Sequence, residues 1–214
     1  MNQFNITIYT LSPLSLGSGQ ADVNVDSEIV HDKYGLPYFP GRRLRGLLYE
    51  SAEEVAEMAA KCGNAFLTLK TVNELFHHTD TNTCLIVPNL YIPDYETVIQ
   101  ELQYLEQQYS SIIRPDAVLD VFSSLRFQTA IDEKTGVAKE HSLRNIRVLN
   151  KNICFTGTLT LIHGTQVHQQ ALALAVQNLH RAGANRNRGF GQIQCTIEHQ
   201  QELLQQALKE GGNS

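Results

Sequence analysis

The chain has 214 residues, 42% of them apolar and 18% charged, with a formal net charge of −5. That length fits one domain with an elaboration, or two very small ones, with a core that needs neither disulfides nor a structural metal, and no run approaches the ~18 apolar residues of a membrane span. Cys62, Cys84, Cys154 and Cys195 are scattered without CxxC spacing, which argues against a zinc site and a disulfide framework.

In chain order, MNQFNITIYTLSPL has no basic n-region, so it reads as a strand and not as a signal peptide, and a cytoplasmic protein is expected. Phe4, Ile6 and Ile8 alternate with polar residues, which predicts a strand reaching Thr10. SPLSLGSGQ follows as a loop or a bulged continuation of the strand. Residues 27–31 form a short extended piece closed by the turn DKYGLP. From Arg42 to Cys62, Leu44, Leu47, Leu48, Ala52, Val55, Ala56 and Ala59 keep helical spacing, with Pro40-Gly41 at the start. The acids of this helix read as a solvated stripe.

CLIVPNLYI (84–92) is strand-like but interrupted by Pro88, and 93–111 reads as a helix. Residues 121–149 carry the turn signal DEKTG between extended arms, a long β-hairpin or thumb. Residues 153–162 read as a strand, 167–182 as a helix with His168 and His180 on its polar side, and 191–198 as a strand. QELLQQALKEGG makes a C-terminal helix. The pattern predicts an α+β fold: one ferredoxin-like (RRM-like) βαββαβ domain over 1–214, with an insertion at about 63–150 that includes the thumb-like hairpin.

The charge is unevenly placed. Nine of the ten arginines fall in three segments: Arg42, Arg43 and Arg45; Arg126, Arg144 and Arg147; Arg181, Arg186 and Arg188. Fields act over about 8–10 Å at ordinary ionic strength, so an acidic chain can carry a local positive surface. In GANRNRGFG (183–191) three glycines permit close backbone approach, and two arginines offer forked donors suited to phosphate oxygens. FPGRRLRGLLYE (39–50) is a second arginine-dense segment that opens a helix. Together they suggest a surface for polyanions.

GLPYFPGRRLRGLL resembles the PY-hydrophobic-PG-S-S-L-K-G signature of the RAMP superfamily of CRISPR-associated proteins, and GANRNRGFGQI is similar to that superfamily's C-terminal glycine-rich loop. Between them, RFQTAIDEKTGVAKEHSLRNIRVLNKNICFTGTL resembles the family's T-x-I-D-x-x-T-G-x-A segment. VDSEIVHDKYGLPY (25–38) resembles V-D-S-P-V-x-x-D-x-x-x-G-x-P-Y of the backbone subunit of type III effector complexes. Three departures stand out: Arg42-Arg43 replace Ser-Ser, Glu28 replaces a proline, and the arginine often found late in the helix is replaced around Tyr49.

The resemblance implies a subunit that binds guide RNA (crRNA) and assembles with other CRISPR effector subunits, including copies of itself, without a membrane. It places Arg42, Arg43 and Arg45, with Gly183, Asn185, Arg186, Asn187, Arg188, Gly189 and Gly191, on RNA phosphates. A subunit that accepts any guide sequence must read the backbone rather than base edges. The family's target-cleaving aspartate falls on Asp26, which implies an endoribonuclease acting on complementary target RNA. As a metal ligand, Asp26 can hold Mg²⁺ or another divalent cation, or it can orient the 2′-hydroxyl; spacing does not choose. Two alternatives stay open. One is a non-catalytic scaffold of the same kind of ribonucleoprotein. The other is a metal-independent guide-RNA-processing endoribonuclease using His31 as general acid or base.

Overall fold

The structure is a computed structural model describing residues 1–19, 25–63, 67–77, 82–109, 114–132, 134–139, 142–186 and 188–211. Strand β1 (Asn2–Thr10) buries Phe4, Ile6, Ile8 and Thr10 and turns the intervening residues outward, as the period of two requires. Helix α1 (Gly41–Lys61) begins where Asn89 Oδ1 accepts the Gly41 N–H at 2.9 Å. It buries Leu44, Leu48, Ala52, Ala56 and Ala59 along one stripe. Helix α2 (Leu69–Phe76) follows, capped by the Thr68 hydroxyl on the Thr71 N–H, then strand β2 (Cys84–Ile86).

A crossing segment carries helix α3 (Tyr95–Gln108), helix α4 (Pro115–Phe122) and the hairpin β3 (Ser123–Gln128) and β4 (Arg144–Leu149). Strand β5 (Cys154–Ile162), helix α5 (Gln166–Asn178), strand β6 (Ile193–Ile197) and helix α6 (Gln200–Gly211) complete the chain. The main sheet has the order β2-β5-β1-β6 and is antiparallel at every pairing; Ile6 lies opposite Gly157 on one side and Ile197 on the other. With α1 and α5 as the crossovers, this is the ferredoxin-like arrangement.

Both crossover helices cover one face of the sheet. Alanines at 171, 173 and 175 are fully buried, and the Ser51 hydroxyl of α1 donates to the Ala175 carbonyl of α5 at 2.7 Å. The other face is polar: the Thr158 hydroxyl donates to Asn5, whose amide donates to Glu198, each at 3.0 Å. The second strand of the ferredoxin order, β2, lies inside the 63–150 span, so the segment carrying α3, α4 and the hairpin separates β2 from β5.

Several local differences have physical causes. The late helix stops at Asn178 instead of 182, because the chain turns extended at Leu179 and Arg181 bridges Gln192 across an antiparallel pairing. His168 is a correction: it is 5% exposed, closes a capping box with Thr165, and sets Nε2 3.2 Å from Glu74 of α2. It joins α2 to α5 and does not face solvent. Helix α2 starts at the Thr68 cap and α4 at Pro115 with Asp116 in its first turn, start signals on runs too short to display periodicity.

The hairpin is tied to the body at its base. Leu14 bridges Leu149, Ser27 bridges Ile146, and Arg147 holds Glu28 at 3.1 Å while also pairing with Asp120. At its far end Asp132 Oδ1 accepts the Thr135 and Lys134 N–H groups, which holds its carboxyl below the usual range.

Cysteine chemistry gives a direct check on burial. Burial pushes the Cys195 thiol up to about 12, whereas Cys62 is exposed. Iodoacetamide at pH 8 is expected to modify Cys62 in the native protein and to reach Cys195 only after denaturation. Native labelling of Cys195 would mean that β6 is not covered by the helical layer.

Candidate nucleic-acid interface

The loop after α5 returns along the continuation of β1. Ala184 N–H donates to the Ser15 carbonyl at 3.0 Å, Gly191 N–H to the Pro13 carbonyl at 2.8 Å, and Ala182 N–H to the Gly191 carbonyl at 2.8 Å. Gly183 and Gly191 have φ of 77° and 78°, and a Cβ would fall 2.4 Å from the Ser15 oxygen and 2.0 Å from the Ala182 oxygen respectively. Close backbone approach in a left-handed conformation is what selects glycine at these two positions.

This stitching leaves a groove of about 520 Å³ between α1 and the loop. Its floor is Ser15, Leu16, Gly17 and Gly19, with Ser27 beside them. One wall carries Arg42, Arg43, Gly46 and Glu50, and the other Gly183, Ala184 and Arg186. The two arginine-dense segments, far apart in sequence, therefore face one another across a single concavity. A second cavity of about 690 Å³ shares Leu47, Glu50 and Arg186 with the groove and continues to Glu54, Asn178, His180, Arg181, Asn185 and Arg188.

The arginines differ in how they are engaged. The side chains of Arg42 and Arg188 are exposed and make no hydrogen bond or ion pair among the described residues. Arg43 donates to the Gly17 carbonyl and steadies the floor. Arg45 donates instead to the Phe76 carbonyl at the end of α2, and it lines neither cavity. Arg186 stands 3.7 Å from Glu50, both largely exposed, a pair worth at most about 1 kcal/mol and readily displaced by phosphate. Arg181 donates to the Arg186 carbonyl at 2.8 Å. Gly189 is exposed with φ 80° and open space around it, and Asn185 accepts the Arg188 N–H on its carbonyl. Asn187 lies outside the described residues.

Glu50 departs from the reading of the helix acids. Glu57, paired with Lys61 at 3.9 Å, belongs to the solvated stripe, but Glu50 sits in the wall that both cavities share. Nothing in the local sequence distinguishes the two; only the return of the 183–191 loop does.

Asp26 is exposed next to Ser27 of the floor, at the foot of the hairpin. Its Oδ2 accepts the Asn145 N–H at 2.8 Å, and its own N–H meets the Asn145 carbonyl at 3.0 Å and Oδ1 at 2.9 Å. No group of three His, Cys, Asp or Glu side chains with metal-holding geometry occurs among the described residues. His31 Nδ1 lies 2.7 Å from the Asp32 carbonyl, and His31 lines neither cavity. Asp32 is a turn residue: its Oδ1 accepts the Tyr34 and Leu36 N–H groups, and Oδ2 accepts the Tyr95 hydroxyl. Among the described residues no helix is long and apolar enough to cross a membrane.

Gly46 offers a test of what the groove is for. It lies within α1, where glycine costs about 1 kcal/mol against alanine, yet a Cβ there would meet nothing within 4 Å. Gly46→Ala is expected to raise stability by about 0.5–1 kcal/mol in denaturant unfolding. Gly46→Glu is expected to fold normally and, by filling the groove, to weaken the binding of any polyanion held there. Undiminished polyanion binding by Gly46→Glu would mean that the ligand does not pass this wall.

Comparison with known proteins follows the same outline. The chain is similar to a chain of the type III-B Cmr-beta cryo-electron-microscopy structure bound to cognate target RNA, with 10% identity, a TM-score of 0.63, and coverage of 95% of this chain and 99% of that one. It is also similar to a chain of apo type III-B Cmr-beta, with 11% identity, a TM-score of 0.58, and coverage of 91% and 96%. At these identities the likeness is one of fold. A search of curated proteins finds no match. A model of the RAMP superfamily matches residues 7–194, a span running from β1 through both walls of the groove and the hairpin to β6, and the chain belongs to that superfamily.

Proposed function

We propose that the chain is a subunit of a type III CRISPR ribonucleoprotein that holds the crRNA backbone in the groove between α1 and the glycine-rich loop. The observation that carries this is the convergence of Arg42, Arg43 and Arg186 on one concavity with glycine at its floor and wall. Guanidinium forks and accessible backbone N–H groups bind phosphate without reading sequence. The fold likeness to chains of the Cmr-beta structures supports the same setting, one of those structures being bound to cognate target RNA. The hairpin exposes Phe127, Ile131, Val137 and Leu143, each more than 60% accessible, apolar side chains suited to wedging into a guide–target duplex.

In this reading Asp26 cleaves the paired target RNA. Its Oδ2 is engaged by a backbone N–H, which leaves the rest of the carboxylate for a divalent cation or a 2′-hydroxyl. Mg²⁺ keeps several waters and takes only one or two carboxylates beside substrate phosphates, so a lone aspartate at an RNA groove fits it. When bound, the ion would stabilise charge developing on phosphate. Asp26 would orient it, and the Asn145 N–H would fix the Asp26 rotamer. A scaffold reading is favoured by the same hydrogen bond, since it gives Asp26 a structural task at the hairpin base.

The test of RNA binding is a titration of single-stranded RNA into wild type and the Arg42→Ala/Arg186→Ala double variant at several salt concentrations. Each lost phosphate contact is expected to flatten the log K against log salt slope by about 0.7, so the double variant flattens by about 1.4. Lys70→Ala, distant on α2, is the control. Equal slopes for all three proteins would remove the groove from the RNA path.

A further inference from the structure

We propose that the second cavity is a nucleobase pocket selective for guanine, taking one base of the strand whose phosphates lie in the adjoining groove, the one position at which that strand is read by its base and not by its backbone. The cavity, about 690 Å³, opens past Glu50 and Arg186, which it shares with the groove, so a base can enter while its phosphate stays outside. That volume is ample for a base and its ribose. The lining carries two kinds of charge. Glu50 and Glu54 supply carboxylate acceptors, and Arg181, Arg186 and Arg188 supply guanidinium donors.

A phosphate would use the three guanidiniums of this lining but leave Glu54 without a donor from the ligand, since a phosphate offers acceptors only. A base bearing both adjacent donors and adjacent acceptors is well served. Guanine has such an arrangement: N1–H and the N2 amine form a donor pair that a carboxylate accepts, and O6 with N7 forms an acceptor pair that an arginine fork grips. Uracil lacks the amine, and adenine and cytosine lack the adjacent acceptor pair on the major-groove edge.

The side chains are positioned for this. Glu54 is anchored through Oε2, which accepts the Asn178 amide at 2.9 Å, and Asn178 is itself held to the Ser51 carbonyl at 3.4 Å. Oε1 has no partner among the described residues. The Arg188 guanidinium likewise has no partner among the described residues, while Arg181 is oriented by the Arg186 carbonyl. The cavity therefore holds one fixed acceptor and one free fork, with Glu50 and Arg186 as an exposed pair at its mouth. The strand's route to the pocket rests on the groove reading above, but the pocket's preference for guanine does not.

Two measurements separate the claims. Guanosine and uridine monophosphates are titrated into the full chain by NMR or calorimetry, and U-rich decamers with and without one internal guanosine are compared by fluorescence anisotropy. Guanosine monophosphate is expected to bind, and uridine monophosphate to bind about ten-fold more weakly. The guanosine-bearing decamer is expected to bind about ten-fold tighter than oligo-U. Glu54→Gln, on the exposed face of α1, is expected to erase both preferences while oligo-U affinity does not fall. Equal binding of the two monophosphates, or a preference that survives Glu54→Gln, overturns the pocket. Failure of oligo-U to bind while guanosine monophosphate still does would overturn the groove reading and leave the pocket standing.

Discussion

Replacing Asp26 with alanine is expected to abolish cleavage of a complementary RNA by the assembled complex, with a loss of at least about 100-fold, while target binding persists. The complex would be reconstituted with guide and Mg²⁺, and cut products separated on a gel. Alanine also removes the acceptor for the Asn145 N–H, so a lost cut could reflect a displaced hairpin. Asp26→Asn resolves this. Its Oδ1 can still accept that N–H, so the hairpin base is kept, but the charge needed to hold a cation or orient a hydroxyl is gone. Loss of cutting in both variants supports catalysis by Asp26. Full cutting by Asp26→Asn would assign the residue to the hairpin base and make the chain a scaffold.

The second large effect is on stability. Gly191→Ala is expected to destabilise the fold by about 2–4 kcal/mol, lowering the thermal midpoint by roughly 5–15 °C. The left-handed backbone opposes any side chain, and the added Cβ would lie 2.0 Å from the Ala182 carbonyl oxygen. Relief requires breaking the Ala182–Gly191 and Gly191–Pro13 backbone bonds that hold the loop to the chain beyond β1. Gly189→Ala supplies the comparison. Its φ of 80° is equally unfavourable, but a Cβ would meet nothing, so only the conformational cost of about 1 kcal/mol applies. Similar midpoints for the two variants would mean that the contact with Ala182 does not constrain the loop.

Much of this arrangement is legible in the amino-acid sequence. Phe4, Ile6 and Ile8 show their strand because one face is buried and the other wet. The stripe from Leu44 to Ala59 shows its helix for the same reason. Arg42, Arg43 and Arg186 could be nominated together because charge clustering survives in one dimension. What was lost is direction. Arg45 lies two residues from Arg43, yet it reaches round to the Phe76 carbonyl while Arg43 steadies the groove floor. His168 reads as a polar-face residue until α2 brings Glu74 against it. Glu50 and Glu57 are equivalent in sequence and differ only because a distant loop lands beside one of them. Such identities depend on tertiary contacts that no local period encodes.

The central position of β1 has a consequence for how the chain comes to be folded. Ile6 has Gly157 on one side and Ile197 on the other, so β1 lies between two strands made well after it. Each pairing closes a very long loop before it returns any energy, which places folding at the slow end for a domain of this size. Until Ile197 has been made, β1 carries an open edge, with Phe4, Ile6 and Ile8 lacking their late partners. The same strand that organises the finished molecule is therefore its chief aggregation hazard while nascent.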